Sequence, residues 1–243
     1  MFGKKAQITV FIIIAVLVVA SIVLYFVLQD DSSGGISSSN LDTSNIEGYV
    51  DSCLREVSKE VVFEVGEGGG YYLPPEEATD SGVSYYLKGD RNLMPSKQEV
   101  EEEMAFFISE KLFFCTENFV DFPQYNITQG DISSEVSIER SKVVVETEYP
   151  LTIEKAGAVS RIEDFEVEVP SSINVVYNSV DEFMSTNHSN GICVSCLSDI
   201  TEENDLYVDM FDYNENTTIF VFEDRNYELN NESFEWLFAN EYR

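Results

Sequence analysis

From Ile8 to Leu28 the chain runs for 21 residues without a charge, and only Thr9, Ser21 and Tyr25 in that run are polar. At ~1.5 Å per residue a helix of this length crosses the roughly 30 Å hydrocarbon core of a bilayer. A buried helix of a soluble domain is rarely apolar on every face for so long. A cleavable secretory signal has a shorter apolar region followed by small residues at its cut site. The run therefore predicts a single transmembrane helix over residues 8–28, in contact with the lipid bilayer. Lys4 and Lys5 precede it and Asp30 and Asp31 follow it, which keeps residues 1–7 in the cytoplasm and sends the rest outside. The expected location is the cell membrane, single-pass, with an extracellular C-terminal domain.

The part beyond the span carries all 45 acidic residues and 12 of the 14 basic ones, a formal charge of −33. A field of that sign repels DNA, RNA and anionic lipid, and the Lys/Arg patch that neutralises phosphates is absent, so no nucleic-acid partner is expected. So large a carboxylate excess is tolerated in concentrated salt, where screening shortens to ~3 Å at 1 M. A halophilic setting is the expectation.

Residues 29–45, QDDSSGGISSSNLDTSN, have the composition of a flexible tether. The acidic domain is expected over 46–243. Ser44 and Glu47 have the form of a capping box, and Ile46, Val50, Cys53, Leu54, Val57, Val61 and Val65 then share one helical face, with Gly66 as the stop. Ser96 and Glu99 predict a second capped helix, with Val100, Met104, Phe107, Ile108, Leu112, Cys115 and Phe119 inward. GGGYYLPP and GVSYYL between them resemble short aromatic strands or extended arms. Period-two alternation in SEVSIER, KVVVETEYPLTI and FEVEVP predicts an antiparallel meander, with Val136, Ile138, Val143, Val145, Phe165, Val167 and Val169 on one face. Pro170 and Ser171 introduce a helix carrying Ile173, Val176, Tyr177, Val180 and Phe183. A short helix around CVSCLSDI and the strands LYVDMF and TIFVFED follow, and FEWLFANEY fits either element type. The fold class is α+β, with helices packed on a mainly antiparallel sheet.

The four cysteines, Cys53, Cys115, Cys193 and Cys196, lie in the part expected outside the reducing cytosol and are disulfide candidates. Cys53 and Cys115 each fall on the inward stripe of a helix, which favours a bridge between those helices. Cys193 and Cys196 form CVSC near a helix start. A structural pair is the leading reading, with a thiol redox centre and half of a metal site as alternatives.

DYNENTTIFVFE places Asp212, Asn214, Asn216 and Glu223 at positions 1, 3, 5 and 12 of a calcium loop. Thr217 stands where the sharp turn needs glycine, and the flanks read as strands, so a polar hairpin turn is favoured and no metal is expected. GEGGGYY offers no helix N-terminus or lysine to a phosphate. One histidine, His188, in a polar loop gives little support to Ser/His/Asp or Cys/His catalysis. No catalytic residue and no cofactor is assigned. Sequons at Asn126, Asn187, Asn216 and Asn231 are glycosylation candidates that agree with export.

The start KKAQITVFIII resembles the class III, type IV pilin-like signal of archaeal surface proteins. The resemblance implies cleavage by a prepilin-type peptidase between Ala6 and Gln7, leaving the helix on the mature chain. Phe11 stands where such signals commonly carry Glu. The pattern YVDSCL, GGYY, LMPS and GICVSCL is similar to uncharacterised single-span proteins of small-genome archaea. The leading expectation is a membrane-anchored, outward-facing, non-catalytic interaction module for surface or pilus-like proteins, with Tyr71, Tyr72, Tyr85 and Tyr86 as candidates for its binding face. The alternatives are a pilin-like or filament-associated subunit, an exported thiol oxidoreductase using Cys193 and Cys196, and a hydrolase with unassigned carboxylates.

Overall fold

Three capping-type side chains in a row, Asp42, Thr43 and Ser44, start the first helix, α1 (Ser44–Glu67), in a computed structural model that describes residues 41–186, 191–229 and 232–242. Thr43 is the N-cap. Its hydroxyl donates to Glu47 at 2.7 Å, while Asp42 accepts from the backbone and the hydroxyl of Ser44. The cap thus lies one residue before the expected Ser44, and residues 42–45 of the expected tether belong to the helix and its cap. The span at 8–28 lies outside the described residues, among which no helix is long and apolar enough to cross a membrane.

The predicted inner stripe of α1, from Ile46 to Val65, is buried. Gly66 is not the stop, because the helix runs on to Glu67 and Gly68 is its C-cap. A Cβ on Gly66 would stand 2.6 Å from the Phe234 ring and 2.7 Å from the Glu235 carbonyl oxygen. Close approach of helix to strand requires glycine here.

After α1, GGGYYLPP forms turns rather than a strand. Only Tyr85–Lys88 (β1) and Arg91–Asn92 (β2) are extended. Helix α2 (Lys97–Cys115) then begins with the predicted reciprocal box between Ser96 and Glu99. Val100, Met104, Ile108 and Leu112 are its buried stripe. The expected extension of that stripe to Phe119 fails, since the helix ends at Cys115. Phe119 reaches the core from a separate 3-10 turn, Glu117–Phe119, in which Asn118 sits at φ 54°. Phe107 is only half-buried, stacked on Tyr72 at 3.9 Å.

The helices α1 and α2 run antiparallel, joined by the Cys53–Cys115 disulfide and by ion pairs from Lys111 to Glu60 and Glu64. They pack on the predicted meander, β4 (Ser133–Ile138), β5 (Lys142–Lys155) and β6 (Ala158–Pro170), with α2 against β4 and α1 against β6. A short strand not foreseen from sequence, β3 (Asn126–Gln129), pairs with the far half of β5. All of these pairings are antiparallel. The open backbone of β4 is partly satisfied by the helix, since Ile138 donates its N–H to Glu101 at 2.8 Å.

A second sheet holds the rest of the strands. Helices α3 (Ile173–Thr186) and α4 (Val194–Asn204) precede β7 (Tyr207–Asp212), β8 (Thr217–Leu229) and β9 (Glu232–Glu241). Its order is β2-β1-β9-β8-β7, antiparallel except for the parallel pair β1 and β9. The single antiparallel sheet of the sequence reading is therefore two sheets. FEWLFANEY resolves as strand β9, whose Phe234, Trp236 and Phe238 all point inward and are fully buried. Tyr177 on α3 meets Trp236 edge-on at 6.0 Å, and Phe183 packs on Phe220 at 5.1 Å. From α1, Phe63 meets Phe234 at 5.4 Å, so α1 takes part in both cores. The described residues from Asp42 onward form one unit.

Candidate functional site

The aromatics nominated from sequence divide on inspection. Tyr86 is fully buried, donates to the Gly69 carbonyl oxygen at 2.7 Å and accepts from Trp236 Nε1. It is a core residue. Tyr71, Tyr72 and Tyr85 are half-buried. Tyr72 is held between Phe107 and the ammonium of Lys111, and Tyr85 lies under Lys88.

The exposed aromatics lie elsewhere. On α2, Phe106, Phe113 and Phe114 face solvent, with Phe113 and Phe114 in edge contact at 5.6 Å. On β7, Tyr207, Met210 and Phe211 are exposed, Phe211 at 55%, and Tyr213 continues the patch into the turn. LYVDMF was legible as a strand from its apolar and aromatic residues. β7 has no buried residue on either side, because among the described residues it is the outermost strand of its sheet and pairs only with β8. Its outward backbone N–H and C=O groups have no neighbouring strand among the described residues, the arrangement that accepts an added strand. Asp209 and Asp212 punctuate it. The Tyr207 ring is fixed under the guanidinium of Arg225 at 3.5 Å, and Arg225 is paired with Glu223.

The residues of the calcium alternative are not gathered. Asp212 closes β7, and Asn214 and Asn216 form the hairpin turn, in which Asn214 Oδ1 accepts from Asn216 N–H at 3.0 Å. Glu223 lies on β8 opposite Tyr207, five residues past Thr218 and so ~17 Å along the strand at ~3.4 Å per residue. No group of three or more His, Cys, Asp or Glu among the described residues is placed to hold a metal.

Carboxylates converge in two places. On the outer face of the first sheet, Glu146 lies directly between Glu135 and Glu166, and Glu148 is opposite Asp164, around a shallow concavity of about 540 Å³. Near the end of α1, burial pushes the Glu235 carboxyl above its ordinary value, and the charges of Glu223, Asp209 and Glu232 add to this. Glu67 is raised likewise, first by burial and then by Glu235 and its neighbours.

The cysteines pair as 53 with 115 and 193 with 196. Cys53 is buried, and its bridge links two helices across 62 residues with Cα atoms 5.8 Å apart. Cys193 is the N-cap of α4, and its Sγ accepts from the Cys196 N–H at 3.3 Å. Both members of this second pair are half-exposed. Of the sequons, Asn126 is exposed on β3, with its side-chain amide donating to Glu154. Asn216 is exposed in the hairpin turn. Asn187, Asn231, His188, Ala6 and Gln7 lie outside the described residues.

Compared with protein-family models, with curated proteins and with solved structures, the chain matches none.

Proposed function

We propose that this chain is a membrane-anchored, outward-facing interaction module whose contact surface is the open edge of β7. The apolar run at 8–28 and its flanking charges support the anchor and its orientation. Two disulfides agree with an oxidising compartment. The observation that carries the reading is an edge strand that pairs on one side alone among the described residues and bears Tyr207, Met210 and Phe211 in the open, between acids but without the lysine or proline that commonly blunts an edge. On the first sheet, by contrast, α2 packs against β4. The exposed Phe side chains of α2 offer apolar area without free backbone groups, so β7 is the better template.

The occupant is a protein segment in extended conformation that brings lysine or arginine opposite Asp209 and Asp212. Main-chain hydrogen bonds would supply affinity, and the exposed Tyr207, Met210 and Phe211 with Asp209 and Asp212 would supply selectivity. A second copy of this chain would bring another formal charge of −31.

Oxidative footprinting tests this, since Met, Tyr and Phe are readily labelled. In the purified full-length chain at low concentration, Tyr207, Met210 and Phe211 should label freely. In intact native envelopes the same residues should be protected several-fold, while Phe106 and Phe113 are unchanged. Equal labelling in both settings would leave the edge bare and end the proposal. Protection in the concentrated purified chain alone would make the occupant a second copy and overturn the basic partner.

A further inference from the structure

Two observations set the Cys193–Cys196 pair apart from Cys53–Cys115. The first is position: Cys193 caps an 11-residue helix, so the partial positive charge of the helix N-terminus falls on its sulfur. Cys196 N–H is 3.3 Å from that sulfur, and the Ser195 hydroxyl is 3.7 Å away. The second is charge. Residues 183–198 contain no Asp, Glu, Lys or Arg, the longest acid-free stretch after Asp31 in a chain with 45 acids, and His188 is the one basic side chain in it. The first turn of α4 accordingly carries no carboxylate. A structural staple has no need of such a neutral window. An approaching or departing thiolate does, because neighbouring carboxylates would repel it.

We propose that Cys193–Cys196 is an exchangeable disulfide that accepts two electrons from a protein dithiol, with Cys193 as the sulfur that forms the mixed disulfide. A thiolate of the partner attacks Cys193 Sγ. A bond forms between partner sulfur and Cys193, the bond between Cys193 and Cys196 breaks, and Cys196 leaves as a thiolate that takes up a proton. The partner's second thiolate then attacks the partner sulfur of the mixed disulfide, closing the partner's own disulfide and expelling Cys193. Cys193 leaves as a thiolate stabilised by the helix end and by the donors of Cys196 and Ser195. The partner loses two electrons and two protons, and the pair gains both. The Cys53–Cys115 bridge, with Cys53 buried between two helices, stays closed throughout. This site is independent of the β7 edge, and either proposal can fail alone.

The test uses the full-length chain in detergent, equilibrated without oxygen in graded mixtures of reduced and oxidised glutathione. It is then quenched in acid, alkylated and read by peptide mass. Cys193–Cys196 should open at about 100-fold lower reducing power than Cys53–Cys115. A synthetic peptide with two cysteines should be oxidised mole for mole by the wild-type chain. In Cys196→Ser the glutathione adduct should accumulate on Cys193, and in Cys193→Ser the adduct on Cys196 should be at least about 10-fold scarcer. An intact Cys53–Cys115 bridge in each variant shows that the fold is retained. If both pairs open together, or the dithiol peptide is left reduced, Cys193–Cys196 is a structural staple. Equal adducts in the two variants would overturn the assignment to Cys193.

Discussion

The indole Nε1 of Trp236 donates to the phenol oxygen of Tyr86 at 2.9 Å, and Tyr86 donates its own hydrogen to the Gly69 carbonyl oxygen at 2.7 Å. This relay joins β9, β1 and the turn after α1 through side chains with no exposed surface. Tyr86→Phe keeps the ring stack on Phe238 but leaves an indole N–H and a backbone carbonyl without partners. The expected cost is about 2–3 kcal/mol, read as a fall in Tm of about 5–10 °C for a domain of this size. An unchanged Tm would show that the relay adds no net stability.

The two disulfides should differ in what their loss costs. Replacing Cys53 and Cys115 together by alanine frees a 62-residue loop in the unfolded chain, about 4 kcal/mol in the chain-entropy model. Opening Cys193–Cys196, which closes only three residues, should cost under about 2 kcal/mol. Urea unfolding of the two double-alanine variants beside the wild type measures both, and equal losses would contradict the assignment of the first bridge as the main staple.

Like charges lie directly across from one another on the first sheet, with Glu146 between Glu135 and Glu166. Glu146→Lys replaces two repulsive cross-strand pairs by two attractive ones, an expected gain of about 1 kcal/mol at low ionic strength. The gain should shrink at 1 M salt, where screening reaches ~3 Å, and the wild type should itself melt higher there. A wild-type Tm that falls as salt is added would contradict both this account and the halophilic expectation.

Glu235 carries a carboxyl whose pKa is raised in the folded state by burial and by neighbouring acids. Such a group favours the folded chain while protonated. That contribution is whole below the unfolded-state value of about 4.3 and is lost as pH rises through the raised folded value. Glu235→Gln should therefore raise Tm at pH 7 by about 1–3 °C, a modest change because the group is partly exposed and screened. At pH ~3.5, below that unfolded-state value, the two proteins should melt together. Thermal melts at the two pH values check the sign, and a variant less stable at pH 7 would refute it.

Much of this architecture can be read from local pattern. The reciprocal pair Ser96 and Glu99 and the stripe from Ile46 to Val65 declared two helices, and alternation declared the meander. The N-cap of α1 shifted because Asp42, Thr43 and Ser44 are all capping types, and only geometry selects among them. Gly66 looked like a stop because its real role, admitting Phe234, depends on a strand 168 residues away. The joining of the β1–β2 hairpin to the second sheet rests on the parallel pairing of Tyr85 with Ala239, which leaves no mark near either residue. For the sites, the spacing of Cys193 and Cys196 and the neutral stretch around them were visible. The exposure of β7 was not, since Tyr207, Val208, Met210 and Phe211 are as apolar as the residues of a covered strand. Nothing in LYVDMF tells that, among the described residues, no strand comes after it in the sheet.

The placement of β9 sets the order in which the molecule can be completed. A chain made from its N-terminus presents α1 and α2 first, and these can meet and close the Cys53–Cys115 bridge on their own. The β1–β2 hairpin has no sheet to join until the ten residues of β9 arrive, because β9 is the partner that links it to β8. Phe63 and Gly66 wait equally long for Phe234. For most of synthesis the aromatic stripe of the second core is thus without its centre. Truncation from the C-terminal end should then act like removal of a keystone, opening both sheets' shared helix at once rather than trimming an edge.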